Sequence, residues 1–514
     1  MIRLTKEERQ FGWFMRVSCI TYFAVGLAFA LIPEPIVRAV NAVSRAFTPG
    51  LAQAPDHDLG KFWVSLSFSM MMTIAMLCYL AQLKVRTNKH YTVPLLVSKC
   101  ASALSGLAYF LFSLKALAYL TIFLVDGTLF LATLVFYLRA NKAWFVAQTA
   151  FLRKQPVPPK ITPATKVVVL KGEDKFQLLD QVLEQAGFWM VLDREFQKAG
   201  KTHESYRVVI KPNFMYTHSN EDVSTFTDPA LVEALVDLLV TRGFTNVTLV
   251  EAQSTYGNYY ENREVVKVAQ HIGYSLNKNY RLVDLTEEMV PFDYGPPLGK
   301  HVVGPTWRDA DFRVSFAKNK THVFCNYTLT LKNIYGTLPM ANKLKEYHSK
   351  REYDWPTIET LKHFPVHFGI IDAIISADGQ FGVISDPTPN HTKTMIAGEN
   401  LIAVDWVGAT KMGLDVDNPR IGRFLPLAIE AFGKPEKIEW IGDQSKYEPW
   451  TNVSSFFIDT LDVAEEAYYF SNWVFAGVTA MDPYFKFKLK AWPIRLFRWV
   501  MGPVKRIYYP HDKM

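Results

Sequence analysis

The sequence predicts an α-helical membrane region of four spans followed by an α/β domain with a largely parallel sheet and helices on both faces. Three observations predict this. Four long apolar stretches crowd into residues 1–140 of a 514-residue chain. A proline-bearing segment, 141–163, follows them. Beyond it, residues 164–440 alternate strand-like and helix-like runs, the pattern of strands wound into a parallel sheet.

The run 62–83 is uncharged and long enough to cross a bilayer core as a helix. The stretches 17–33, 93–114 and 116–138 carry at most one internal charge each. Four such stretches in close succession set aside buried helices of a soluble core. Arg3, Lys6, Arg9 and Arg16 stand before or at the mouth of the first span. Lys84, Arg86 and Lys89 fill the loop after the second, and Arg139, Lys142, Arg153 and Lys154 follow the fourth. The loop 34–61 has Arg38, Arg45 and Lys61 beside Glu34, Asp56 and Asp58. This bias puts both termini and the α/β domain on the cytoplasmic side, with a bacterial inner membrane as the expected address. Pro33 and Pro35 follow the first span without a small-x-small site, so it reads as a retained anchor. Lys99 and Asp126 lie at membrane depth in neighbouring spans. Helix rise separates them by roughly 8 Å, which a lysine stem can bridge, so an ion pair is expected rather than a transport path.

The net charge of +7 is matched by residues 484–514, where eight Lys or Arg meet one acid. Tyr484, Phe485, Phe487, Trp492, Phe497, Trp499, Tyr508 and Tyr509 interleave with them. Basic groups beside amphipathic rings suit an anionic lipid surface, so 441–514 is expected to be a membrane-surface segment. The lipid bilayer is thus an expected partner, and nucleic acid is not. Cys19, Cys78 and Cys100 fall in spans and Cys325 stands alone in the α/β part, so no iron–sulfur cluster and no disulfide framework are expected.

Within the α/β part, 166–170 reads as a strand, 176–198 as a helix, 206–210 as a strand and 229–241 as an amphipathic helix. The alternation then repeats through 246–250, 262–272 and 281–285. The run Val208-Val209-Ile210-Lys211-Pro212-Asn213 is a buried strand that delivers a lysine and an amide as it stops. Thr227-Asp228-Pro229 opens a helix, with Thr227 or Asp228 as the cap. Val250-Glu251 ends a further strand with a carboxylate. Ligands of open α/β sheets collect beyond the carboxyl ends of strands, so Lys211, Asn213 and Glu251 are expected to share a crevice.

The densest chemistry is Lys318-Asn319-Lys320-Thr321-His322, then the run from Thr328 through Lys332, Asn333 and Gly336 to Pro339, then Lys343, Lys345 and His348. Cationic heads, hydroxyls and backbone amides freed at Gly336 describe an anion site, against the alternative of a solvated polar loop. His322 and His348 could also hold a divalent metal with Glu251 or Asp372.

The order Ile-Lys-Pro-Asn at 210–213, Thr-Asp-Pro at 227–229, Lys-Thr-His at 320–322 and Leu-Lys-Asn at 331–333 resembles the domain-of-unknown-function family 362. Ile371-Asp372-Ala373-Ile374, Ala397-Gly398 and Ala403-Val404-Asp405 continue the likeness, which spans Arg207 to Gly413. Members fused to ferredoxin modules are described as iron–sulfur proteins; that module is absent from this sequence. The Lys332–Gly336 segment is also similar to the amino-terminal domain of nickel-pincer lactate racemases, and no residue is carried over from it.

The expected function is a membrane-anchored, cytoplasmic-facing enzyme of unknown reaction acting on an anionic, phosphorylated or lipid-linked substrate. Lys211, Lys320 and Lys332 would neutralise the anion, Asn213, Asn333 and Gly336 would position it, and His322 would be the acid/base, oriented by Glu251 or Asp372. A non-catalytic cofactor- or partner-binding module and a metal-dependent redox or isomerase protein stand as alternatives.

Overall fold

The computed structural model describes residues 6–54, 61–83, 85–153, 160–276, 278–296, 298–348, 354–379, 388–418, 421–453 and 481–488, together with Trp492, Leu496 and Trp499. The chain divides into two units, 1–157 and 158–514.

In the first unit four helices are long and apolar enough to cross a membrane: Glu8–Leu31, Ser65–Leu83, Lys89–Phe112 and Leu117–Ala140. Their outward surfaces are apolar, with Ile20, Val97, Leu104 and Leu131 at least 60 % exposed, as a lipid-facing surface requires. Phe11, Met15, Tyr22, Ile74, Cys78 and Leu95 form the buried seam between helices. Lys99 Nζ meets Asp126 Oδ1 at 2.9 Å, the expected pair, and lies 4.7 Å from the Tyr22 ring centroid. The stretch read as a loop after the first span contains a helix, Pro33–Phe47. Its proline start and apolar residues at helical spacing explain it. The last helix continues without a break to Arg153.

The second unit is a ten-stranded sheet between two apolar layers. Its strands are β1 (Thr165–Lys171), β2 (Val208–Pro212), β3 (Val247–Glu251), β4 (Arg281–Asp284), β5 (Phe312–His322), β6 (Asn326–Thr328), β7 (Phe368–Asp378), β8 (Thr388–Asn390), β9 (Thr394–Gly398) and β10 (Ile438–Gly442). They lie in the order β10-β1-β9-β7-β5-β2-β3-β4, with β6 paired to β5 and β8 to β7. Along that path every pairing is parallel except the two made by β9. Alternate residues serve opposite faces. Val208 and Ile210 join one core with Phe312, Val314 and Phe316, whereas Val209 and Val250 join another. A sheet apolar on both faces needs cover on both, and helices supply it.

Helix Pro229–Thr241 is capped by Asp228, whose Oδ1 accepts from Ala230 N at 2.9 Å, and such a cap is worth about 1 kcal/mol. The single helix expected over 176–198 is two, Lys175–Gln185 and Phe188–Ala199. Gly187 stands between them at φ 77°, a left-handed conformation that ends the first and opens the second.

The boundary expected at residue 440 falls inside β10, which pairs with β1 through Gly442. The α/β unit therefore continues past it. Of the aromatics assigned to a membrane surface, Phe485 is 2 % exposed, within the core of the α/β domain. The Arg263 guanidinium lies 4.4 Å over its ring, and Phe487 packs on Tyr260 at 4.5 Å. Trp492 and Trp499 are exposed; Phe497, Tyr508 and Tyr509 lie outside the described residues.

Candidate functional site

Three parallel strands deliver the chemistry to one end of the sheet. β2 stops at Lys211-Pro212, and Asn213, Met215 and Tyr216 follow it. β3 stops at Glu251, and Ala252 to Tyr259 follow. The long β5 carries Lys320 and His322 at its last turns outward. A cavity of about 120 Å³ opens beyond these ends, lined by Asn213, Glu251, Lys320, His322, Lys332, Asn333, Gly336 and Lys343. Tyr216, Tyr256, Tyr259, Phe324 and Tyr335 supply its aromatic walls. Of the three residues expected to share a crevice, Asn213 and Glu251 line this cavity, while Lys211 is fully buried beneath it, paired with Glu251, and does not reach its lining.

Its floor is a buried ion pair. Lys211 Nζ meets Glu251 Oε1 at 2.7 Å, and it donates to the Pro212 carbonyl at 2.7 Å and Asn333 Oδ1 at 3.3 Å. Glu251 Oε1 also accepts from Phe214 N, and Oε2 from Ala252 N. Full hydrogen bonding is what makes a charge pair tolerable at zero exposure. Gly336 closes over the pair. A Cβ there would lie 2.5 Å from Lys211 Cε and Nζ and 2.8 Å from Glu251 Oε2. Close approach to the ion pair therefore requires glycine at this position.

Three further lysines face the cavity. Lys320 donates to the Thr225 carbonyl, Lys343 to the Leu338 carbonyl, and Lys332 approaches the Tyr335 ring at 5.9 Å. Among the described residues none of the three has a carboxylate partner. Burial lowers the pKa of Lys211 and Lys332. It lowers that of Lys320 well below the usual lysine range, helped by Lys332 and Lys318, and brings Lys343 down to about 7. Cations held this way favour a bound anion, which would restore their charge.

A short helix, Thr330–Asn333, presents Lys332 and Asn333, and a residue remote in sequence holds it. Asp405 takes Thr330 N at 2.7 Å, the Thr330 hydroxyl, and Leu331 N at 3.1 Å. It caps that helix from the neighbouring helix Leu401–Lys411. Burial pushes its carboxyl up to about 7.

Asp372 is not at the cavity. It is fully buried in β7, pairs with Lys318 at 2.8 Å and accepts from Asp228 N at 3.0 Å, so it ties a helix start to the sheet and does not orient His322. His322 lines the cavity, and its Nδ1 accepts from Phe324 N at 3.2 Å. The Glu251 oxygens are engaged with Lys211 and two backbone amides, so this carboxylate serves the lysine floor. His348 ends the turn Leu344–His348, and its side chain lies outside the described residues. Among the described residues no group of three His, Cys, Asp or Glu could hold a metal ion.

Sequence reasoning missed Tyr216, Ser254, Tyr256 and Tyr259 as site residues; Thr328, Tyr335 and Lys343 stood in the expected anion run without a role of their own. The available signal was the polar, tyrosine-rich run from Gln253 to Tyr260 directly after a strand. Asp405 gave no local signal, because its partners lie 74 and 75 residues away.

The family model described as domain of unknown function (DUF362) matches residues 208–410, which contain every cavity residue named above. Among solved structures, the lactate racemase apoprotein from Thermoanaerobacterium thermosaccharolyticum is similar at 13 % identity and a TM-score of 0.31. That match covers 49 % of this chain and 57 % of that one, so the chain spans little more than half the racemase's length. No curated protein matches the chain.

Proposed function

We propose that this is a membrane-anchored enzyme whose α/β domain acts on a small anionic molecule, phosphorylated or lipid-linked, in the lysine-lined cavity. One observation carries the reading. Lys320, Lys332 and Lys343 converge on a cavity whose one carboxylate among the described residues, Glu251, is already committed to Lys211. Uncompensated buried cations are costly, and an anion in the cavity offsets that cost. Lys320, Lys332 and Lys343 bind the anionic group, Asn213, held in place by Asn333, contacts the rest of the molecule, and the aromatic walls take its apolar part. His322 is the group suited to move a proton near neutrality.

The positive-inside pattern supports placing both termini and the α/β domain in the cytoplasm, at a bacterial inner membrane. The exposed Trp492, Leu496 and Trp499, set among basic residues, support contact of that stretch with lipid.

The test is calorimetric titration of the full chain in mild detergent with pyrophosphate. Lys332→Ala should abolish binding at an unchanged melting midpoint; unchanged affinity would overturn the anion site. A non-catalytic module would instead keep its cellular function in His322→Ala, whereas the proposed enzyme loses it.

A further inference from the structure

Cations satisfy only one part of a ligand, and the cavity also contains polar atoms of the opposite kind. The Asn213 amide can be oriented without ambiguity. The Lys211 carbonyl can only accept, so Asn333 must present its NH₂ there, at 2.7 Å. Asn333 Oδ1 is thereby turned toward Asn213, which must answer with its own NH₂, at 3.1 Å. Asn213 Oδ1 is left buried, lining the cavity, with no hydrogen-bond partner among the described residues. Two hydroxyls share that condition. Thr328 Oγ1 and Ser254 Oγ line the same cavity, buried and unpaired, and Thr328 is only 1 % exposed.

A carbonyl oxygen has no proton to give. A ligand that is merely anionic, such as phosphate ion fully deprotonated at the contact, would face Asn213 Oδ1 with like polarity. A ligand hydroxyl satisfies it by donating, and its oxygen can in turn accept from the hydroxyl of Thr328 or Ser254. Buried polar atoms are paired in nearly all native structures, so three orphans around one cavity mark groups that the ligand completes.

The structure assigns to this cavity a small hydroxylated anion: one anionic group on Lys320, Lys332 and Lys343, and at least one hydroxyl read by Asn213, Thr328 and Ser254. The assignment rests on the anion site proposed above and adds the hydroxyl requirement to it. The anionic group can be a phosphate ester of a polyol or the carboxylate of a hydroxy acid; the shared chemistry is a hydroxyl held near a negative group. Sites built to hydrogen-bond a hydroxyl discriminate strongly against analogues that lack it, because their own polar atoms then stay unpaired.

The experiment compares matched ligands on the full chain in mild detergent: glycerol 3-phosphate against propyl phosphate, and glycerate against butyrate. The hydroxylated member of at least one pair should bind tenfold or more tightly than its partner, and the pair that responds identifies the anionic group. Thr328→Val, which removes the orphan hydroxyl and keeps the shape, should shrink that preference severalfold without lowering the melting midpoint. Equal affinities within both pairs would overturn the hydroxyl requirement and leave the anion site standing. Failure of all four ligands to bind would overturn both. A melting midpoint several degrees lower in Thr328→Val would show that Oγ1 has a partner in the free protein, and would overturn its role as a ligand-reading group.

Discussion

Gly336→Ala tests the packing of the site floor. The added Cβ would lie 2.5 Å from Lys211 Cε and Nζ, about 1 Å inside ordinary contact, and 2.8 Å from Glu251 Oε2. A flexible lysine end can normally swing aside. This one is held by Glu251 at 2.7 Å, by the Pro212 carbonyl at 2.7 Å and by Asn333, and it has no exposed surface to move into. Overpacking alone costs about 1–3 kcal/mol. Parting the buried charges costs about 3–5 kcal/mol. The expected loss is therefore about 3 kcal/mol, a fall in apparent melting midpoint of roughly 6 °C at about 2 °C per kcal/mol. Gly257→Ala is the control, since its Cβ would meet Arg263 Cβ at 3.7 Å, an ordinary contact in the 3-10 turn Thr255–Asn258 beside the same cavity. Thermal melts of both variants in one detergent decide the matter. A Gly336→Ala midpoint within 1 °C of the parent would refute the close packing of glycine on the ion pair.

Anion binding should be linked to proton uptake. Lys343 is largely neutral above its pKa of about 7 in the free protein, an anion favours its charged form, and affinity should fall toward tenfold per pH unit above 7. Calorimetry with pyrophosphate at pH 8, in buffers of different ionisation enthalpy, should show net proton uptake; proton release would sink the linkage. The same depressed pKa gives a stability sign: this group's contribution is present above pH 10.5 and is lost as pH falls toward 7. Asp405→Asn should cost about 1–3 kcal/mol by setting an amide against a backbone donor, and should weaken ligand binding although Asp405 does not line the cavity. Denaturant melts paired with titration check it, and unaltered binding would show that the helix Thr330–Asn333 needs no external cap.

The spans were legible because hydropathy is a local quantity: twenty apolar residues are enough to require a lipid or buried setting wherever they occur. Helix Pro229–Thr241 was legible from Asp228 and Pro229 for the same reason, since a cap acts within three residues. Lys211, Asn213 and Glu251 could be placed together because a strand that ends in a polar residue exposes it at one known edge of a parallel sheet. Asp372 misled because a carboxylate in a motif-like run looks the same whether it faces a ligand or, as here, a buried lysine on the next strand.

Composition and local pattern alone determined that this chain has four candidate spans, an α/β domain and a lysine-rich segment suited to an anion. Tertiary structure decided which lysines are already paired. Lys211 and Lys318 are neutralised by Glu251 and Asp372, while Lys320, Lys332 and Lys343 face the cavity. It also decided that Thr328 and Ser254 join them, and that Asp405 supports the helix beneath Lys332. The physical reason is that charge and hydrogen-bond satisfaction depend on neighbours within about 3 Å. In a parallel sheet those neighbours come from strands far apart along the chain.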